Sequence, residues 1–399
     1  MSQKIDVSII SSGANIADAR LHRLTNALLR AGLTVELFAP GNPADAPRVA
    51  HTGTHTGTHT GTLIIRPCTS AWTRGKGLLP RYIRSRTFVF RARGKILYAI
   101  SPEAFMPAYS WVQLSRLLML RKRFFAADLY EDYLQLLHDR AWAKKYAGLL
   151  GAIARSDTKW ALWAAARASL TTVADVQVPP FDARHRLVVR NLPDASILTQ
   201  SGERSATPRA IYIGDLRKSR GLHTMLELAE KLPHWEFDFV GPIAPADQAY
   251  VSDWIARHAD HVGHAERQAT ARARIMFYGK LPPRDAWKVA KGAWVGLSLL
   301  ESTPAFVEAV PSKLYEYMSV GLASVSTPLP RCVELINASQ AGVIAASATQ
   351  IAEHLLHWEQ NPTEFDQLRA KVKEWALANL DSETEYGRLS QSIHTILAR

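Results

Sequence analysis

The chain has 399 residues, 47% of them hydrophobic, with a formal charge of +12 and two cysteines, Cys68 and Cys332. That length suits two domains of about 200 residues, each able to bury a core. Two distant cysteines exclude a disulfide scaffold and a cysteine metal cluster, and no run approaches the roughly 18 apolar residues that span a bilayer.

IDVSIIS (5–11) reads as an apolar strand, so MSQKIDVSIISSG begins a fold and not a secretory leader. A cytoplasmic chain, soluble or peripheral on the inner face of the membrane, is expected. A small-residue loop with Gly13 follows, then a helix at 17–31 with Leu21, Leu24, Leu28 and Leu29 on one face and Gly32 as its stop. LTVELFAP (33–40) closes a right-handed parallel βαβ unit. The loop lets a backbone approach a ligand, and the helix N-terminus favours an anion. Asp18 suits the cap of that helix, while Arg20 and Arg23 line either a cleft or the surface.

Residues 51–62 are three copies of HTGT, which neither hold a helix nor build a core. His51, His55 and His59 have no Cys or carboxylate beside them, so a loop lengthened by repetition is expected, with no metal. Residues 71–125 then carry twelve basic side chains against the single Glu103, interleaved with Leu78, Leu79, Tyr82, Phe88, Phe90, Trp111, Leu117 and Leu118. Such a mixture suits either an anionic membrane surface or a solvated face over ordinary core positions. No Cys/His finger or RNP-type motif accompanies it, so nucleic acid is not an expected partner.

ADLYEDYL (127–134) reads as a strand that delivers Glu131 and Asp132 to the sheet edge, with His138 nearby. A helix, a short strand at 168–173 and the strand LVVRNLPDA (187–195) end a first domain at 1–195; the polar stretch 196–208 is the linker. Over 209–381 the alternation restarts: strands at 209–216, 235–241, 274–279, 294–300, 323–330 and 342–345, helices at 221–232 and 283–293, and a polar helical stretch at 246–272. A closing helix at 382–399 returns to the first domain. The fold class is α/β, with two doubly wound Rossmann-like domains facing a central cleft.

Two motifs carry chemistry. GDLRKSRGL (214–222) gathers Arg217, Lys218 and Arg220 where a strand hands over to a helix, cations that match a diphosphate. EAVPSKLYEYMSVG (308–321) sets Glu308 and Glu316 either side of seven residues after a buried strand, where a carboxylate accepts several sugar or ribose hydroxyls. Lys313 between them is either a phosphate ligand or a solvated charge.

IYIGDLRKSRGL, FVGPI, IMFYGKLPP, WVGLSLL and EAVPSKLYEYMSVGLASVS resemble, in order and interval, the donor domain of retaining GT-B glycosyltransferases of family 4. The resemblance covers 209–345 and implies a GT-B enzyme that moves a sugar from a nucleotide-diphosphate sugar to an acceptor hydroxyl with retention and without a metal cofactor. It implies that Glu316 holds the ribose hydroxyls, that Glu308 contacts the donor sugar, and that Arg220 stabilises the departing diphosphate. Gly13 would border the donor phosphates. Where the family often carries its first loop arginine this chain has Asp215, so Arg217 or Lys218 takes that place. Glu131 and Asp132 are then candidate acceptor contacts, and the basic, apolar segment points to a lipid-linked or cell-envelope glycan acceptor. The alternatives are another GT-B enzyme, such as a nucleotide-sugar epimerase, and a non-catalytic module that binds a membrane or polyanion.

Overall fold

The computed structural model describes residues 4–47, 61–66, 78–120, 122–139, 149–193, 198–258, 260, 262–264, 274–304, 306–307 and 310–399. Most of the HTGT tract, residues 67–77, Arg121, the His138 side chain and Glu308 lie outside these. The chain divides into two compact units, Met1–Asn191 with Ser382–Arg399, and Leu192–Asp381.

In the first unit seven strands form one parallel sheet: β1 (Val7–Ile10), β2 (Val35–Phe38), β3 (Leu63–Arg66), β4 (Ile96–Ala99), β5 (Phe124–Leu129), β6 (Leu170–Val173) and β7 (Arg186–Val188). Their order is β3-β2-β1-β4-β5-β6-β7. Val7 is level with both Val35 and Ile96, so the chain leaves β1 in opposite directions and makes a switch point between β1 and β4. VSII and ILYA are buried at every position because helices cover both faces. Ala19–Arg30 and Ser382–Leu397 pack Leu21, Leu24, Leu28, Leu389 and Ile393 on one side. Leu78–Arg91, Pro102–Leu117 and Leu149–Ala166 pack Phe88, Phe105, Val112, Ala161 and Ala165 on the other.

Asp18 caps the first helix, accepting from the Leu21 amide at 3.0 Å. Arg20 faces neither cleft nor surface: it is buried and forks onto Asp128 of β5, with both nitrogen–oxygen distances 2.7 Å. The strand read at 127–134 ends earlier, at Leu129. The Asp132 carboxylate instead accepts the Leu134 and Gln135 amides at the start of the helix Tyr133–Asp139, which terminates the strand.

The second unit repeats the plan with β8 (Arg209–Ile213), β9 (Glu236–Val240), β10 (Val262–His264), β11 (Ile275–Gly279), β12 (Val295–Ser298), β13 (Ala323–Ser326) and β14 (Gly342–Ile344). The order is β10-β11-β9-β8-β12-β13-β14, and the switch point falls between β8 and β12. The polar stretch expected to be helical is a helix only over Gln248–Arg257, and then adds β10 at the sheet's edge.

Asp238 of β9 is buried beside Arg209, with Nε and Oδ2 3.1 Å apart, and accepts the Tyr278 hydroxyl at 3.0 Å. Burial raises its carboxyl to about 6; Arg209 and Tyr278 oppose that rise without cancelling it. Because the native pKa lies above the unfolded one, folding takes up a proton here. Stability falls as pH rises from about 4 to 6 and stays lower above that window. Asp238→Asn is therefore expected to raise stability by about 1–3 kcal/mol at pH 8 and to change little at pH 4. Urea titrations at the two pH values check this; equal effects at both would contradict it.

Candidate functional site

The loop after β8 is shaped by contact with the loop after β12. Arg217 opens a single 3-10 turn over Lys218–Arg220, and Gly221 follows with φ of 84°. A β-carbon at Gly221 would lie 2.1 Å from the Leu299 carbonyl oxygen, so this close approach requires glycine. Alongside it, the Glu301 amide donates to the Ser219 carbonyl at 3.0 Å, tying the two loops together at the sheet's carboxyl edge.

The three cations of this loop are held differently. Arg217 donates to Asp215 Oδ2 at 2.9 Å, an exposed pair of small energetic worth. Lys218 is exposed, and its backbone amide donates to Asp247 Oδ2 at 3.2 Å. Arg220 lies against the Tyr212 phenol: burial pushes that phenol up, and the guanidinium opposes the rise. The Nε atoms of Arg217 and Arg220 are both buried with no hydrogen-bond partner. Buried guanidinium N–H groups ordinarily find acceptors, so two left over within one turn suit an oxyanion with several lone pairs.

The helix Ser312–Ser319 is seated on the same two strands. Its Tyr317 ring lies against Gly296, where a β-carbon would come within 2.3 Å of the ring. The Tyr317 hydroxyl donates to the Leu297 carbonyl at 3.1 Å and accepts the Ile213 amide at 3.4 Å, bridging β12 and β8. Glu316, next to it, is 7% exposed and sits in the helix's second turn, not at its start. Lys313 pairs with Glu316 at 2.5 Å and stands 5.6 Å over the Trp287 ring. It is thus partnered within the motif and is not a solvated charge.

In the first unit a cavity of about 330 Å³ opens at the carboxyl ends of β1, β4 and β5. Gly13, Arg81, Tyr82, Glu103, Glu131 and Asp157 are among its walls. Gly13 donates its amide to Ser101 Oγ at 3.1 Å, and a β-carbon there would meet only ordinary contacts at 3.6 Å. Arg81 stands 3.5 Å from Glu103, and Tyr82 donates to Asp157. Glu131 belongs to this wall whereas Asp132, engaged as a cap, does not. Sequence reasoning missed Arg81, Tyr82, Glu103 and Asp157, which are distant in sequence and carry no spacing signal; Asp247, which holds the Lys218 amide, gave none either.

Among the described residues no group of three His, Cys, Asp or Glu is arranged to hold a metal, and no helix is long and apolar enough to cross a membrane.

No curated protein sequence matches the chain. Among solved structures, HepE from Anabaena in complex with UDP is 14% identical, with 98% of this chain and 100% of that one covered and a TM-score of 0.65. Sucrose-phosphate synthase from Thermosynechococcus elongatus is 12% identical, with 99% and 100% covered and a TM-score of 0.66. A glycosyltransferase from Rickettsia africae is 12% identical, with 100% and 99% covered and a TM-score of 0.61. At these identities the likeness establishes a fold, two Rossmann-like domains of the GT-B kind. Residues 195–376, which include both the arginine loop and the Glu316 helix, match the family model described as glycosyl transferases group 1. Residues 195–376 thus make up a domain of the group 1 glycosyl transferase type, and the chain is a glycosyltransferase of GT-B fold.

Proposed function

We propose that the protein is a retaining, family-4 type glycosyltransferase that takes a sugar from a nucleotide-diphosphate sugar and passes it to a hydroxyl of a lipid-linked or cell-envelope glycan. The observation that carries the donor half is the pair of buried, unpartnered Nε groups of Arg217 and Arg220 at the β8–β12 switch point. Together with Lys218 they balance the diphosphate's charge, so no metal cofactor is required. Glu316 accepts the ribose hydroxyls while Lys313 keeps it oriented. Glu308 contacts the donor sugar, as the family likeness implies. HepE binds UDP, and UDP with glucose, which makes uridine diphosphate the first nucleotide to try.

In the reaction the bond from the sugar C1 to the β-phosphate oxygen breaks, and both electrons stay with the phosphate. The acceptor oxygen then bonds C1 on the same face, and its proton passes to the departing phosphate. Arg220 acts where negative charge develops. Glu131, on the wall of the first unit's cavity, accepts hydroxyls of the acceptor sugar. The cationic, apolar composition of 71–125 supports an acceptor presented at an anionic membrane surface.

The test is turnover of UDP-, GDP- and ADP-sugars with a lipid-linked saccharide acceptor, with the product's anomeric configuration read by NMR. One nucleotide sugar is expected to react, to keep its donor configuration in the product, and to do so equally well in excess EDTA. An inverted product would sink the retaining reading, and activity lost with EDTA would sink the metal-free one.

A further inference from the structure

The three helices over one face of the first sheet turn their small and aromatic side chains inward, and their outer sides should then be polar. They are not. Pro102–Leu117 and the turn after it expose Leu114, Leu117, Leu118, Met119 and Leu120, with Met119 93% exposed. Leu78–Arg91 adds Leu79 and Phe90, the latter meeting Trp111 edge-on at 5.0 Å. Leu149–Ala166, which lies beyond the basic segment, adds Ile153, Trp160 and Trp163. Residues 153 and 160 are seven apart and 160 and 163 three apart, so these side chains share one stripe. Trp163 meets Tyr109 edge-on at 5.3 Å, which joins this stripe to the helix Pro102–Leu117.

Charge follows the same face. Arg86, Arg91, Arg116, Lys122, Arg155, Lys159 and Arg167 are exposed around the apolar residues, and Arg167 lies over the Trp163 ring at 4.0 Å. Within Leu149–Ala166 the single acidic residue, Asp157, is taken by Tyr82. Exposed tryptophans beside arginine and lysine, next to a leucine-rich turn, match the boundary of an anionic bilayer. Indole rings there rest at headgroup level while aliphatic chains reach further in. An apolar patch of this extent is otherwise uncommon on a monomer surface.

We propose that Trp160 and Trp163 are the interfacial anchors of a three-helix face by which the protein docks on an anionic lipid bilayer. The helix Leu149–Ala166 supplies the aromatic half and the segment 78–122 the aliphatic and basic half. This rests on the membrane-presented acceptor proposed above and deepens it. The same three helices also wall the first unit's cavity, through Arg81 and Tyr82, Glu103, and Asp157.

The experiment is flotation of the full chain with vesicles of phosphatidylcholine alone and with one third phosphatidylglycerol, alongside Trp160→Ala/Trp163→Ala and Leu117→Glu/Met119→Glu. Wild type is expected to float with the anionic vesicles, to float at least tenfold less with neutral ones, and to be released by high salt. Each double variant is expected to lower flotation at least tenfold while its melting point and nucleotide response stay at wild-type values. If the tryptophan variant floats as wild type does, this inference is overturned and the basic segment alone carries docking. If wild type does not float with anionic vesicles, both membrane readings fall, and the donor reading is untouched.

Discussion

Asp128→Ala is expected to destabilise the first unit by about 3–5 kcal/mol, because it strands the Arg20 guanidinium in the core. Asp128 is fully buried and Arg20 is 5% exposed, so water cannot replace the lost partner. The pair is also the centre of a network. Thr172 donates to Asp128 Oδ1 at 2.5 Å, and Arg20 donates to the Val189 carbonyl at 3.0 Å and to Asn191 Oδ1 at 2.7 Å. Whole domains are stable by only about 5–15 kcal/mol, so the loss is a large share of the total. The ion pair itself need not be stabilising, since burying two charges costs nearly what their attraction returns. Arg20→Met/Asp128→Leu should accordingly recover most of the loss. Urea denaturation of wild type, single and double variants decides this: a single variant within about 1 kcal/mol of wild type would contradict it. The consequence for function is direct. This network pins the helix Ala19–Arg30 to β5, and the segments leaving β1 and β5 carry Gly13 and Glu131 into one cavity.

Arg220→Ala should lower kcat by about 100- to 1000-fold, the usual effect of deleting one donor aimed at developing charge. Affinity for the nucleotide diphosphate should weaken with it. Its Nε is without an intramolecular partner and its guanidinium meets the Tyr212 phenol at the loop, so its removal costs the fold one hydrogen bond and the melting point of the free protein should move only slightly. Arg220→Lys restores the charge without the planar guanidinium fork and should recover activity only in part. Steady-state kinetics with the reacting donor check this. A melting point that falls steeply in Arg220→Ala would mark the residue as structural instead.

Much of the fold was legible because its signals are local. WVGLSLL reads as a buried strand and is β12, and the leucine spacing after Ser12–Asn15 is the helix Ala19–Arg30. Elsewhere short or disguised elements escaped. β10 is a three-residue edge strand inside a polar stretch, too brief for periodicity to register. Between 78 and 120 the density of arginine drew attention to the surface and hid two helices with β4 between them. Pro102 sits at the first turn of the second of these helices, where its missing N–H costs nothing. In the donor loop, three cations after a strand were visible in GDLRKSRGL. The diversion of Arg217 to Asp215 was not, because two nearby opposite charges in a loop do not announce whether they meet. The cavity of the first unit escaped for a topological reason: parallel strands bring residues 13, 81, 103, 131 and 157 together only once the sheet is ordered.

The most direct measurement is a thermal-shift panel of UDP, GDP, ADP and their sugars on wild type, Glu316→Ala and Glu316→Gln. A ligand that binds only the native form raises its melting point by mass action, by about 2.7 kcal/mol of stabilisation at a hundredfold excess over Kd. One nucleotide diphosphate is expected to raise the wild-type melting point, and that rise should vanish in both folded variants. No rise with any of these ligands in folded wild-type protein, or an equal rise in the Glu316 variants, would contradict a donor site built on the β8 loop and the Glu316 helix.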